Sequence, residues 1–191
     1  MARLLPPQLF FLLILVVIIH PSYGLTHLKG IALVDEVCRH TSHNEYCVDT
    51  IIPKPPLSGE RIASTTLGWA QIKALEAGTI IASLLNDSSS ILPVAKNPLQ
   101  AKELLQICWD SNMNTMEDLW IASSLFYNKI INPMIARLYH AANTTRVCQD
   151  GLKGTGFTAL AAKLEDIIKL CEICVVSTNF FVNSAHKSFY P

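Results

Sequence analysis

The chain has 191 residues, of which 50% are hydrophobic and 16% charged, with 15 basic side chains balanced by 15 acidic ones. That balance excludes an intrinsically disordered chain and a nucleic-acid binder working through a broad basic surface. Eight glycines and ten prolines exclude collagen-like and linker-rich sequences, and the length fits one ordinary domain.

Residues 1–24 have the plan of a secretory signal peptide. Arg3 gives a positive start, Leu9 to Ile19 is an unbroken run of 11 apolar residues, and the small residues Ser22 and Gly24 follow Pro21. Eleven helical residues reach only about 16 Å, roughly half the hydrocarbon thickness of a bilayer, which disfavours a membrane anchor. Cleavage after Gly24 removes one charge, Arg3, and leaves a chain beginning at Leu25 with no later stretch of spanning length, so no membrane partner is expected. A secreted chain meets an oxidising compartment, where paired cysteines become disulfides. Two sequons, Asn86-Asp87-Ser88 and Asn143-Thr144-Thr145, make Asn86 and Asn143 candidate glycosylation sites. Asn86 is the stronger of the two, because the run NDSSS reads as a loop.

Residues 25–56 are read as an N-terminal helical hairpin and a Pro-rich linker. The hairpin has a helical segment, a turn near Thr41–Asn44 and a second short helix, and Pro53, Pro55 and Pro56 disfavour its continuation.

Residues 57–191 show apolar or small residues at alternating steps of four and three in four segments. The stripes run from Ala63 to Leu84, Ala101 to Phe126, Ile131 to Cys148, and Leu160 to Ala185. Such spacing gives each helix one narrow apolar face. Ser58, Asn97 before Pro98, and Asn132 before Pro133 are N-cap signals. Short polar or glycine-bearing connections near Asn128–Asn132 and Asp150–Gly156 suit antiparallel neighbours. The expected fold is all-α: an antiparallel up-and-down four-helix bundle with an N-terminal helical hairpin extension, residues 25–191 forming one domain.

Six cysteines allow fifteen pairings. Cys38 and Cys47 flank the hairpin turn and are spaced to bridge its arms. Cys108 and Cys148 have their midpoint at residue 128, inside the expected turn, so an antiparallel pair places them level with each other. Cys171 and Cys174 form a C-x-x-C, but in mid-helix on the core stripe rather than at a helix start, where thiol pKa values fall. They are read as buried free thiols rather than a redox pair. No second ligand pair completes a zinc site, and His40 and His43 beside Asp35 and Glu36 read as solvated turn residues, so no metal and no cofactor is expected. His140 reads as a surface residue, and Trp69 and Trp120, which fall off the strict stripes, as a wider core face, with exposed anchors for a partner as the alternative. No catalytic motif occurs, so an enzyme is not expected.

The C-x8-C hairpin, the second cysteine pair forty residues apart and the stretch Ala141-Ala142-Asn143-Thr144-Thr145-Arg146-Val147-Cys148-Gln149-Asp150-Gly151 together resemble the plant invertase and pectin methylesterase inhibitors. The resemblance spans the chain after the leader. It implies disulfides Cys38–Cys47 and Cys108–Cys148, a non-catalytic role in the apoplast or cell wall, and a protein target, pectin methylesterase, whose substrate cleft the bundle occludes. Invertase is the alternative target, although the Pro-Lys-Phe segment of invertase inhibitors does not occur here. A secreted helical signalling ligand is a more distant alternative, disfavoured by the short turn after Phe126. Five histidines after the leader (27, 40, 43, 140 and 186) lead to the expectation that target binding weakens as pH rises toward neutral.

Overall fold

The computed structural model describes residues 30–51, 58–87 and 98–187. The leader, the Pro-rich linker, the proposed cap Asn97 and His27 lie outside the described residues. The described chain forms helices α1 (Ile31–Arg39), α2 (Asn44–Ile51), α3 (Gly59–Asn86), α4 (Pro98–Tyr127), α5 (Ile131–Gly151) and α6 (Thr158–Lys187), with no strand among the described residues.

Local chemistry sets the helix ends. Ser58 caps α3, its hydroxyl accepting from the Arg61 amide at 3.2 Å, and Glu60 adds a negative charge to the first turn. α4 stops where Lys129 takes a left-handed conformation, φ 59°. The Ile130 amide then donates back to Leu125 O at 2.9 Å and the Lys129 amide to Phe126 O at 3.0 Å. This double bond pattern satisfies the last carbonyls of α4. The Lys129 ammonium pairs with Glu60 and stands over the rings of Phe126 and Phe181 at 5.3 and 5.4 Å. The tight stop lets α5 begin at Ile131, so Asn132 and Pro133 lie inside its first turn rather than at its cap. At the other end Gly154, φ 75°, supplies the positive-φ position between α5 and α6.

Helices α3 to α6 make a closed ring in which each packs on its sequence neighbours and α6 closes against α3. The contacts give the directions. Between α3 and α4, Gln71 Nε2 donates to Leu119 O at 3.2 Å, and Gly78 lies against Asn112. Between α4 and α5, Cys108 is bonded to Cys148 and Thr115 reaches Thr145 at 3.1 Å. Between α6 and α3, Cys174 Sγ lies 3.3 Å from Ala63 O and Lys163 reaches Glu76 at 2.6 Å. In each pair one residue number rises as the other falls, so the bundle is antiparallel and up-and-down.

The core follows the stripes. Ala63, Leu67, Ala70, Ala74, Ala77 and Ile81 of α3 are buried, as is every member of the α4 series from Ala101 to Phe126. The stripe on α5 is rotated from its expected position. Met134 and Ala141 are buried, whereas Ile131 and Ile135 are only partly covered. α6 buries a broader face than a single stripe, including Leu170, Ile173 and Val175, because it also carries the hairpin.

The hairpin α1–α2 is clamped by Cys38–Cys47. Leu33, Val34, Val37, Cys38, Cys47 and Ile51 form a second cluster with Ile62 of α3 and Ile173 of α6. Each such apolar side chain contributes about 1.5–3 kcal/mol on full burial. Polar contacts fix the orientation: Glu172 accepts from both the amide and the hydroxyl of Ser42, each at 2.6 Å. Lys169 stands 4.8 Å over the ring of Tyr46. Burial, with Asp166 beside it, pushes the Tyr46 hydroxyl far above its ordinary range.

Candidate functional site

The free thiols Cys171 and Cys174 lie side by side on the buried face of α6. Burial disfavours their thiolates: Cys174 is pushed up to about 12, and Cys171 higher still although Arg146 works the other way. A thiol in that range does not attack at neutral pH.

His40 and His43 fall in the turn between α1 and α2. His40 Nε2 lies 3.2 Å from Glu36, and its ring is 5.5 Å from that of Phe180. Among the described residues no three His, Cys, Asp or Glu side chains converge as a metal would need. Asn86 is the last residue of α3, with Asp87 as its C-cap, rather than a loop residue; the serines of the run NDSSS lie outside the described residues. It is exposed. Asn143 is exposed in the middle of α5, where it accepts from Arg146 at 2.7 Å. The threonine of its sequon, Thr145, is buried and donates to Ala141 O at 2.8 Å.

One cluster was not anticipated from the sequence. Asp118 of α4 has a side chain only 4% exposed, yet it faces two side chains of α5: the Arg137 guanidinium at 2.9 Å and the His140 ring at Nδ1. His140 is a surface residue, as expected, with its side chain 66% exposed, but its ring is held by this buried carboxylate. No linear spacing announces the cluster, because Asp118 sits one residue before the core position Leu119 and looks like ordinary surface charge.

The outer face of α3 and α4 carries a different signal. Trp120 is 64% exposed, not part of the core. It follows the buried Leu119 by one residue, a rotation of about 100° that turns it away from the bundle axis. Leu75 and Ile72 on α3 are 59% and 52% exposed, and Met113 on α4 is 47% exposed. The Gln71–Leu119 and Gly78–Asn112 contacts hold these levels of the two helices side by side. Trp69, by contrast, is half-buried against the core, in line with expectation. An exposed aromatic anchor among aliphatic side chains on a rigid two-helix face can dock a protein surface, since Trp is enriched where binding energy concentrates.

No protein-family model matches the sequence, and no curated protein matches it. Solved structures do match its fold. A mutant form of a pectin methylesterase inhibitor from Arabidopsis superposes with a TM-score of 0.66 over 75% of this chain and 93% of its own, at 19% identity. A second structure, a pectin methylesterase inhibitor from Arabidopsis thaliana, gives a TM-score of 0.57 over 78% of this chain and 95% of its own, at 17% identity. The chain therefore has the all-helical fold of the pectin methylesterase inhibitors. That is the fold expected from the cysteine pattern and the stretch Ala141–Gly151.

Proposed function

We propose that the protein is a secreted, non-catalytic inhibitor of a pectin methylesterase that binds the enzyme and covers its pectin-binding cleft. The observation that carries this reading is the coverage: the helices of this chain account for nearly the whole length of two solved inhibitors of that enzyme. The two disulfides, Cys38–Cys47 and Cys108–Cys148, support an oxidising destination in the apoplast. In this reading residues 1–24 are the leader, residues 25–56 form the hairpin and linker, and residues 57–191 form the bundle. The face around Trp120, Leu75, Ile72 and Met113 supplies the docking anchors. A cross-linked bundle loses little conformational entropy on docking, so even a standard interface of about 1,600 Å² suffices.

Asn86 and Asn143 are the proposed glycan sites. Because Thr145 is buried in the folded bundle, a glycan on Asn143 must be attached before α5 packs. The functional reading is tested by mixing the protein recovered from a secretory host with a plant pectin methylesterase and, separately, with an acid invertase. Co-elution and loss of activity are expected for the methylesterase. A complex with invertase alone moves the protein to the other target.

A further inference from the structure

Where the hairpin turn rests on the bundle, a groove of about 370 Å³ opens between α5 and α6. Its floor is aliphatic: Leu138, Ala142, Ile168, Cys171 and Val175 line it, all buried. Its rim carries His40, Ser42, Arg146 and Glu172, with Tyr139 and Val176 beside them. The size falls in the range of small-molecule sites, which combine an apolar lining with a few placed polar groups.

The rim charges are not equivalent. Both Glu172 oxygens are occupied by Ser42, at 2.6 Å each. His40 lies against Glu36 at 3.2 Å. Arg146 donates to the neutral Asn143 Oδ1, and no carboxylate among the described residues pairs with it. Its guanidinium has five N–H donors, so capacity remains for an incoming anion. The rim therefore presents one cation with free N–H donors, Arg146, above a hydrocarbon floor, while the Glu172 carboxylate on the same rim has both oxygens turned to Ser42. An aliphatic floor offers dispersion and water exclusion but no hydrogen bonds, which suits a hydrocarbon chain better than a sugar ring.

We propose that this groove is a binding site for a small amphipathic carboxylate, whose apolar body lies on the Ala142–Cys171–Val175 floor and whose carboxylate pairs with Arg146. A planar guanidinium takes a carboxylate through two parallel N–H···O bonds. The site is separate from the outer α3–α4 face, so it does not depend on the inhibitor reading.

The test uses the ¹⁵N-labelled chain recovered from a secretory host, titrated with octanoate and followed by NMR and calorimetry. Saturable shifts at the amides of Ser42, Ala142, Arg146, Cys171 and Val175 are expected. The neutral octanamide should bind at least about tenfold more weakly, and Arg146→Gln should weaken octanoate by a similar factor, the loss of a charge-assisted pair. Arg146→Lys, which keeps the charge but loses the fork, should fall between the two. Galacturonate, an acid without an apolar body, should not bind measurably. Absence of saturable shifts at these amides, equal affinity for octanoate and octanamide, equal affinity in Arg146→Gln, or preferential binding of galacturonate would each overturn the assignment.

Discussion

Gly78 of α3 lies directly against the Asn112 side chain of α4, and this contact yields a quantitative test of how the two helices meet. A Cβ built on Gly78 would stand 2.7 Å from Asn112 Nδ2. Asn112 is buried, its amide nitrogen reaches only Met116 Sδ at 3.7 Å, and its Oδ1 has no hydrogen-bond partner. Gly78→Ala therefore sets two effects against each other. Alanine gains about 1 kcal/mol in helix propensity, and overpacking costs about 1–3 kcal/mol, so the net change is neutral to about 2 kcal/mol destabilising. Asn112→Ala removes the obstacle and the orphaned acceptor, which itself costs about 1–3 kcal/mol, and leaves space that the new methyl fills. The double variant should then exceed the sum of the single changes by roughly the overpacking term, about 1–3 kcal/mol. Urea denaturation of the four proteins at neutral pH measures the coupling directly, provided their m-values agree. Additivity to within about 0.5 kcal/mol would mean that Gly78 and Asn112 do not touch and that the α3–α4 register is different.

Other expectations follow from the same coordinates. Replacing both Cys108 and Cys148 by alanine should destabilise the protein by about 4 kcal/mol, the chain-entropy value for a loop of this length, and more than the roughly 2.6 kcal/mol expected for Cys38 with Cys47; chemical denaturation with the reverse order would contradict the entropic account. Iodoacetamide at pH 8 should leave Cys171 and Cys174 unlabelled in the native protein, since burial pushes both thiols up; rapid native labelling seen by mass spectrometry would refute their burial. Lys163 lowers the pKa of Glu76, and Lys169 that of Glu165, each mainly through a hydrogen bond, from an ordinary 4.5. Carboxylates depressed in the folded state stabilise above their unfolded pKa and lose that contribution as pH falls through the folded value. Thermal melts should thus fall below about pH 4.5, less steeply in Glu76→Gln, and an unchanged acid limb would remove the pair from the account. Trp120→Ala should weaken target binding about tenfold or more, as expected for an anchor residue, with little change in melting temperature; normal inhibition by that variant would place the docking face elsewhere.

Much of the bundle was legible because burial follows helical periodicity. The α3 stripe as far as Ile81 and the whole α4 stripe coincide with buried residues, even at Asn112 and Thr115, polar positions that the spacing nonetheless placed inside, while Leu84 is only partly covered. The level pairing of Cys108 and Cys148 followed from one turn position, since antiparallel rods fix which residues face each other. What failed did so for tertiary reasons. α5 begins before Asn132-Pro133 because Lys129 accepts a left-handed backbone and is held by Glu60 and two aromatic rings, contacts spread over three helices. Trp120 falls off the strict stripe, and of its two readings, a wider core face or an exposed anchor, the structure has the exposed one. The breadth of the α6 face, the Ser42–Glu172 contact and the Asp118 cluster all depend on which elements end up adjacent. The hairpin's place on α6 is invisible until the bundle exists.

The central claim is that this bundle acts by covering the cleft of a pectin methylesterase. Methanol release from esterified pectin by a plant pectin methylesterase, titrated with the purified protein at mildly acidic pH, tests it most directly. Activity should fall in proportion to added protein and reach a floor near equimolar ratio. Unchanged methanol release in the presence of a large molar excess would contradict it.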